Sequence, residues 1–208
     1  MVHVKNILRS TADVSMILLV GGYAESPLVQ ETFNNEFSNL EIIIPQDCNL
    51  VVMKGAVLYG HCPMSISARI LGFSYGVCID TPLNPKIHPL KLHYLKCNGK
   101  SYCKNTFDEL IAKNTKVSST GNVVKRTFFK DKNTKSVGLR VYCTNKENPA
   151  IVDENSQLLG KLEISIPRQV FNTWTIHGEF IFGMTEIKVS VTVKHTNETF
   201  TTTLDLLE

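Results

Sequence analysis

Six cysteines are spread over the 208 residues without a single C-x-x-C pair, which argues against a structural zinc site and a dithiol redox motif. No histidine stands at a ligand spacing from a cysteine or an aspartate. His88 and His93 flank Pro89, and His61, His177 and His195 are isolated, so no metal centre and no triad nucleophile is expected. No apolar run approaches the roughly 20 residues that span a bilayer, and the N-terminal MVHVKNILRSTADVS lacks the apolar core of a signal peptide. Those absences point to a cytoplasmic protein with reduced, buried or half-buried thiols. A Cys97–Cys103 hairpin disulfide is the minor alternative, and the Asn197-Glu198-Thr199 sequon reads as chance. A strongly basic surface is also missing, the net charge being only +3. The densest cationic group, Lys125, Arg126, Lys130, Lys132 and Lys135, comes with no stacking platform or groove-reading helix motif, so it reads as a solvated loop and no nucleic-acid partner is expected.

With 43% hydrophobic and 20% charged residues, the chain has the composition of a globular protein with a sizeable core. Its most informative stretch is MILLVGGYAESP, from Met16 to Pro27: an apolar β-run, two glycines, then a Ser-Pro helix start. A strand that turns on glycine into a helix N-terminus brings bare backbone and unpaired amides close to an anion, which is nucleotide-site geometry. An ordinary β-to-α connection uses the same residues, and local pattern alone leaves both readings open.

Periodicity divides the chain. Up to about Cys62, helix and strand alternate: His3 to Leu8, strand Met16 to Val20, helix Pro27 to Phe37, strand Glu41 to Ile44, helix Leu50 to Tyr59. From about Ser65 the helices nearly vanish and strand candidates follow one another. The clearest has Ile187, Val189, Val191 and Val193 alternating with Lys188, Ser190, Thr192 and Lys194, which predicts a strand with one face buried. Asn98-Gly99 and Thr196 to Glu198 read as hairpin turns, and Pro167 to Gly178 as a loop holding Trp174, either a cap on one end of the sheets or a half-exposed contact. The expected class is α+β: residues 1–64 an α/β portion, residues 65–208 an antiparallel β-sandwich.

The order of these parts is that of the 70-kDa heat-shock chaperone superfamily. Ser74-Tyr75-Gly76-Val77 resembles the start of its substrate-binding β domain, Arg140-Val141-Tyr142 a central strand, and Leu158-Leu159-Gly160-Lys161-Leu162-Glu163-Ile164 its LLGKFEL-type strand. Glu186 to Val193 followed by Thr199 to Leu206 resembles its closing hairpin. The wording of VGGYAESPLVQ, IIIPQDCNLVVMKGAVLYGH and TEIKVSVTV is closest to the branch called heat shock 70 kDa protein 12. The resemblance covers nearly the whole chain.

It implies that residues 1–64 are the C-terminal remnant of an actin-like ATPase lobe, with Gly21, Gly22 and Tyr23 on the adenosine side of an ATP or ADP pocket. Glu25 stands where typical members carry an arginine against adenine, and a carboxylate cannot stack there as a guanidinium does. Asp47 and Lys54 are weaker candidates that read as surface charges. The family's phosphate loops, catalytic lysine and magnesium-binding acids belong to sequence upstream of Met1, so the chain alone is not expected to hydrolyse ATP. The resemblance further implies client binding, of unfolded or partner protein segments, near Phe128, Phe129, Val137 and Leu139. Val137 and Leu139 read equally well as core. Adjacent Phe128 and Phe129 point to opposite faces of any strand, which leaves one of them outward. The usual acidic-leucine linker is replaced by Pro63 to Leu71, and no helical lid follows. The alternative is a stand-alone, nucleotide-independent interaction module. With part of the lobe missing, helix Leu50 to Tyr59 and strand Met16 to Val20 are expected to expose an apolar patch and promote self-association.

Overall fold

A computed structural model describes residues 1–11, 13–96, 99–131, 136–165 and 173–206. Two compact units divide the chain, Met1–Ser65 and Ile66–Glu208. Cys97, Asn98, Lys132, Lys135 and the first part of the loop expected from Pro167 lie outside the described residues.

Unit 1 runs α1 (Val2–Ser10), β1 (Met16–Leu18), a 3-10 turn (Gly22–Glu25), α2 (Pro27–Glu36), β2 (Glu41–Ile43) and α3 (Val51–His61). Proline at the first turn of α2 costs no hydrogen bond, because that amide has no intrahelical partner. β1 and β2 pair in parallel, Ile17 opposite Ile42, and the ladder continues as Leu19 N–H donates to Ile43 C=O at 2.9 Å. Lys5 of α1 is ion-paired with Glu36 of α2, and that hydrogen bond holds the Glu36 carboxyl below its ordinary range. The core is small: Leu19, Ala24 and Cys48, with Ile17, Phe33, Ile42 and Ile44 packed on it. None of the residues of α3 is buried. Val52, Met53, Val57 and Leu58 are 57–68% exposed, and Met16 and Leu18 of β1 about half exposed. The expected apolar patch is therefore present. We expect the chain to self-associate through it, in a way that light scattering detects and α3 variants Val57→Lys and Leu58→Lys reverse; a monodisperse parent chain would refute this.

Unit 2 is built of antiparallel strands. They are β3 (Ala68–Ile70), β4 (Ser74–Pro82), β5 (His93–Leu95), β6 (Ser101–Ile111), β7 (Lys116–Ser118), β8 (Asn122–Asp131), β9 (Ser136–Thr144), β10 (Ser156–Ser165), β11 (Thr173–Phe182), β12 (Glu186–Val193) and β13 (Glu198–Asp205). They form a five-stranded sheet in the order β10-β9-β4-β6-β5, a four-stranded sheet β13-β12-β11-β8, and the small pair β3-β7. Alternate residues of both larger sheets enter one core, where Tyr75 of β4 meets Phe182 of β11 with ring centroids 5.7 Å apart. Ile187, Val189, Val191 and Val193 are all buried, as their period of two requires. The β12–β13 hairpin turns over residues 194–197, slightly earlier than the expected Thr196 to Glu198, with Glu198 paired to Val193 and Asn197 at φ 57.

One strand carries no sequence signal, and one expectation needs correction. β6 has no clean alternation to mark it, because register shifts at Tyr75/Gly76 and Ile79/Thr81 break its period against β4. Gly76 is part of that fit: a Cβ there would lie 2.2 Å from the Phe107 ring, so the missing side chain makes room for it. The stretch read as a loop up to Gly178 is a strand from Thr173 onward, and Trp174 is 1% exposed, edge-on to His195 at 5.5 Å. It is a core residue of β11 and makes no half-exposed contact.

Before β10 the chain turns on Asp153. Its carboxylate pairs with Lys146 and accepts the Asn155 N–H at 3.0 Å and the Ser156 hydroxyl at 3.3 Å. The Lys146 hydrogen bond, opposed in part by burial, holds the Asp153 carboxyl below its ordinary range. A folded pKa below the unfolded one gives stability that is present above the unfolded value and lost as pH falls through the folded one. Asp153→Asn is thus expected to lower stability by roughly 1 kcal/mol at neutral pH, with the difference vanishing under acid conditions below the ordinary carboxylate range. Melts at several pH values check it.

Candidate functional site

At the end of β1 the chain must reverse, and Gly21 does so at φ 93, a backbone region that favours glycine. Its N–H donates to Cys48 C=O at 2.7 Å and its C=O accepts the Ala24 N–H at 3.0 Å. Ser26 N–H donates to Tyr23 C=O at 3.2 Å, and the Gln30 side-chain amide reaches Ala24 C=O at 2.7 Å. The glycines do not lead straight into a helix N-terminus: the 3-10 turn intervenes, and the amides of Gly21, Ala24 and Ser26 are spent on the carbonyls of Cys48, Gly21 and Tyr23. A Cβ on Gly21 or Gly22 would meet nothing within 4 Å, so the turn is open on its outer side. Tyr23 is 87% exposed and Glu25 is exposed beside it. Asp47 and Lys54 form an exposed ion pair with each other.

In unit 2 the sequence-read residues separate by face. Val137 and Leu139 are 6% and 5% exposed and belong to the core, out of reach of any ligand at the surface. Phe128 packs against that core, while Phe129, next to it on β8, is 68% exposed, as strand alternation demands. β8 is an edge strand, hydrogen-bonded to β11 on one side.

Sequence reasoning placed Arg126 in a solvated loop, whereas it pairs across from Gly178 and reaches the other sheet: its Nε lies 3.3 Å from Asp108 Oδ2, and it donates to Glu109 C=O at 2.7 Å. Its position between Val124 and Phe128 was the available signal, since all three share a face. On the outer face, Lys125 pairs with Glu179 at 3.0 Å and Thr127 meets His177 Nδ1 at 3.1 Å, lining an open polar groove of about 310 Å³. Two members of the basic cluster are thus ion-paired in a strand and not in a solvated loop.

Among the described residues no group of histidine, cysteine and carboxylate side chains converges as a metal site. Cys48, Cys62, Cys78, Cys103 and Cys143 are free thiols, Cys62 being exposed against expectation. Burial pushes the thiols of Cys78, Cys103 and Cys143 above their ordinary value, which makes them poor nucleophiles. No helix among the described residues is long and apolar enough to cross a membrane.

No family model matches the chain. Among curated proteins it is 29% identical over 214 residues, 99% of its length, to Heat shock 70 kDa protein 12A of Mus musculus and equally to that of Homo sapiens. It is 27% identical over 220 residues to Heat shock 70 kDa protein 12B of Homo sapiens. The chain resembles heat shock 70 kDa protein 12 along its whole length. It spans only 31% of the 12A relatives and 32% of 12B.

Likeness to heat shock 70 kDa protein 12 raises the question of whether the residues here fit a nucleotide. The open turn leaves room for one, and exposed Tyr23 offers a ring face. Phosphates are another matter. The Gly21 amide is taken by Cys48, Lys5 and Lys54 are held by carboxylates, and Glu25 adds a negative charge. The turn is open beside exposed Tyr23, while the Gly21 amide, Lys5 and Lys54 are engaged within the chain.

Proposed function

We propose that the chain is the C-terminal part of a cytoplasmic, ATP-binding, chaperone-like protein of the heat shock 70 kDa protein 12 type. In this reading unit 1 is the end of an actin-like nucleotide-binding lobe, with Gly21, Gly22, Tyr23 and Glu25 on its adenosine side. Unit 2 is a β-sandwich that takes up extended segments of client or partner proteins. The observation that carries the reading is similarity over 99% of the chain to proteins about three times as long. The parallel β1-α2-β2 unit, with its glycine turn at the strand's end, supports the nucleotide part. The exposed face of α3 supports a lobe completed by further sequence. Phosphate, magnesium and hydrolysis chemistry would come from the rest of the whole protein, where ATP or ADP is bound with Mg.

Calorimetric titration with ATP and ADP in magnesium tests this on the chain and on the full-length protein side by side. Binding by the full-length protein alone is the expected result. Binding by neither would favour a nucleotide-independent interaction module, a reading to which the engaged Gly21 amide and acidic Glu25 lend support.

For client binding, Phe129 is the residue of the four that a peptide can touch, with Phe128 behind it and Val137 and Leu139 serving only the core. Phe129→Ser is expected to weaken capture of a labelled, extended apolar peptide by roughly tenfold while leaving the melting temperature unchanged. Equal capture by the variant would remove Phe129 from the site.

A further inference from the structure

From Thr81 to Phe107 the sequence has five lysines and no aspartate, glutamate or arginine. What marks this segment is the lack of the opposite sign, not the density of lysines.

The connection from β4 to β6 is held in place by its own backbone. Leu83 N–H donates to Ser101 C=O at 3.0 Å, and the amides of Ile87 and His88 both reach Asn84 C=O, at 3.2 and 2.8 Å. The His88 ring, 9% exposed, accepts the Asn84 N–H at 3.0 Å. Yet its described residues from Leu83 to Lys96 turn large aliphatic side chains outward: Ile87 is 58%, Leu90 72% and Leu95 64% exposed. Next to them Tyr94 and Tyr102 lie 6.0 Å apart, with Lys104 and Lys96 over their rings at 5.2 and 4.0 Å. The adjacent carboxylate, Asp80, is engaged by the Tyr94 hydroxyl at 2.9 Å and the Asn105 N–H at 3.2 Å.

We propose that the Leu83 to Lys96 run is a docking surface for an anionic phospholipid bilayer. Lysines would face the headgroups, and Ile87, Leu90 and Leu95 would enter the boundary between headgroups and acyl chains. Charge complementarity and side-chain type together select this partner. Lysine without arginine is suited to a diffuse field of charge, since an ammonium acts as a point charge and lacks the fork that pairs with individual carboxylates. The tyrosine faces already carry lysines, which leaves the aliphatic side chains as the apolar contact, and burial of such side chains at a bilayer boundary adds to the electrostatic attraction. An acidic protein segment is the competing partner and is separated from a bilayer by the test.

The test is flotation of the full chain with phosphatidylcholine vesicles prepared with and without phosphatidylserine. Binding is expected only with phosphatidylserine and is expected to fall steeply as ionic strength rises. Lys86→Gln with Lys91→Gln should weaken it roughly tenfold. Leu90→Ser with Leu95→Ser should weaken it at every ionic strength while keeping its salt dependence. All four positions are exposed or half-buried, and melts of each variant verify its fold. Failure to bind phosphatidylserine vesicles at low salt overturns the proposal, as does equal binding by the lysine variant. Polyglutamate that displaces the chain from vesicles, with binding insensitive to Leu90 and Leu95, would also overturn it and assign the surface to an acidic polypeptide.

Discussion

Replacing Gly183 with alanine is expected to lower the unfolding midpoint of unit 2 by about 10 °C, the sum of backbone strain and a steric clash. Gly183 joins β11 to β12 at φ 115, a conformation that a residue with a Cβ rarely adopts. Space is the second obstacle. An added Cβ would lie 2.0 Å from the carbonyl oxygen of Ser118 and 3.1 Å from its carbon. That carbonyl cannot swing away freely, because it accepts the Gly121 N–H at 3.0 Å in the turn between β7 and β8. The two turns are thus packed backbone to backbone. Fluorescence of Trp174, the chain's one tryptophan, reports the loss directly, since the ring is buried in unit 2. Gly99→Ala, also in unit 2, is the control: it carries the strain of φ 73 but meets no atom within 4 Å, so its effect should be clearly smaller. Equal midpoints for Gly183→Ala and the parent would show that the close approach of the two turns is wrong.

Phe180→Ala is the second large effect, with an expected loss of 3–5 kcal/mol by the range for buried aromatic truncations, that is, about 4 kcal/mol. Phe180 is fully buried, opposite Val124 of β8 and Val189 of β12. Its ring also covers Gly178, where an added Cβ would come within 3.2 Å of it. The ring of Phe128 flanks the same glycine, and whatever space it does not refill persists as a cavity. Denaturant unfolding followed by Trp174 emission measures the loss. Phe129→Ser removes a ring of the same size from the same sheet and is expected to change stability by no more than about 0.5 kcal/mol, because that ring already lies in solvent. The pair separates the core face of the sheet from its outer face. Comparable losses from the two substitutions would contradict the assignment of faces.

Much of this architecture is legible in the residues. The alternation from Ile187 to Val193 is a strand in any reading, because polar and apolar side chains swap with the period of a pleated ribbon. Pro27 marks the start of α2, and adjacent Phe128 and Phe129 had to face opposite ways once β8 was a strand. The outward apolar face of α3 followed from a helix richer in valine, leucine and methionine than unit 1 has partners for. β6 was not legible, because two register shifts against β4 disturb its period and the seating of its Phe107 over Gly76 of β4 is a long-range fit. The hairpin context of Trp174 was hidden for a similar reason: Pro167 and the polar residues after it look like loop until β8 supplies a ladder for Thr173 onward.

By itself, then, the sequence determined the change from mixed to strand-rich pattern near residue 65, the periods of its strands, the glycines at the end of β1, and a likeness that comparison with known proteins extended over the whole length. Each of these rests on local pattern or on the order of residues along the chain. Only the tertiary structure decided which glycines are indispensable, since an open Gly22 and a crowded Gly183 read alike as letters. It decided that Val137 and Leu139 serve the core while Phe129 meets solvent, that the Gly21 amide is spent on Cys48, and that Arg126 ties one sheet to the other. Those outcomes depend on which strands become neighbours. That is fixed by burial summed over residues far apart in the chain, a sum that no local window contains.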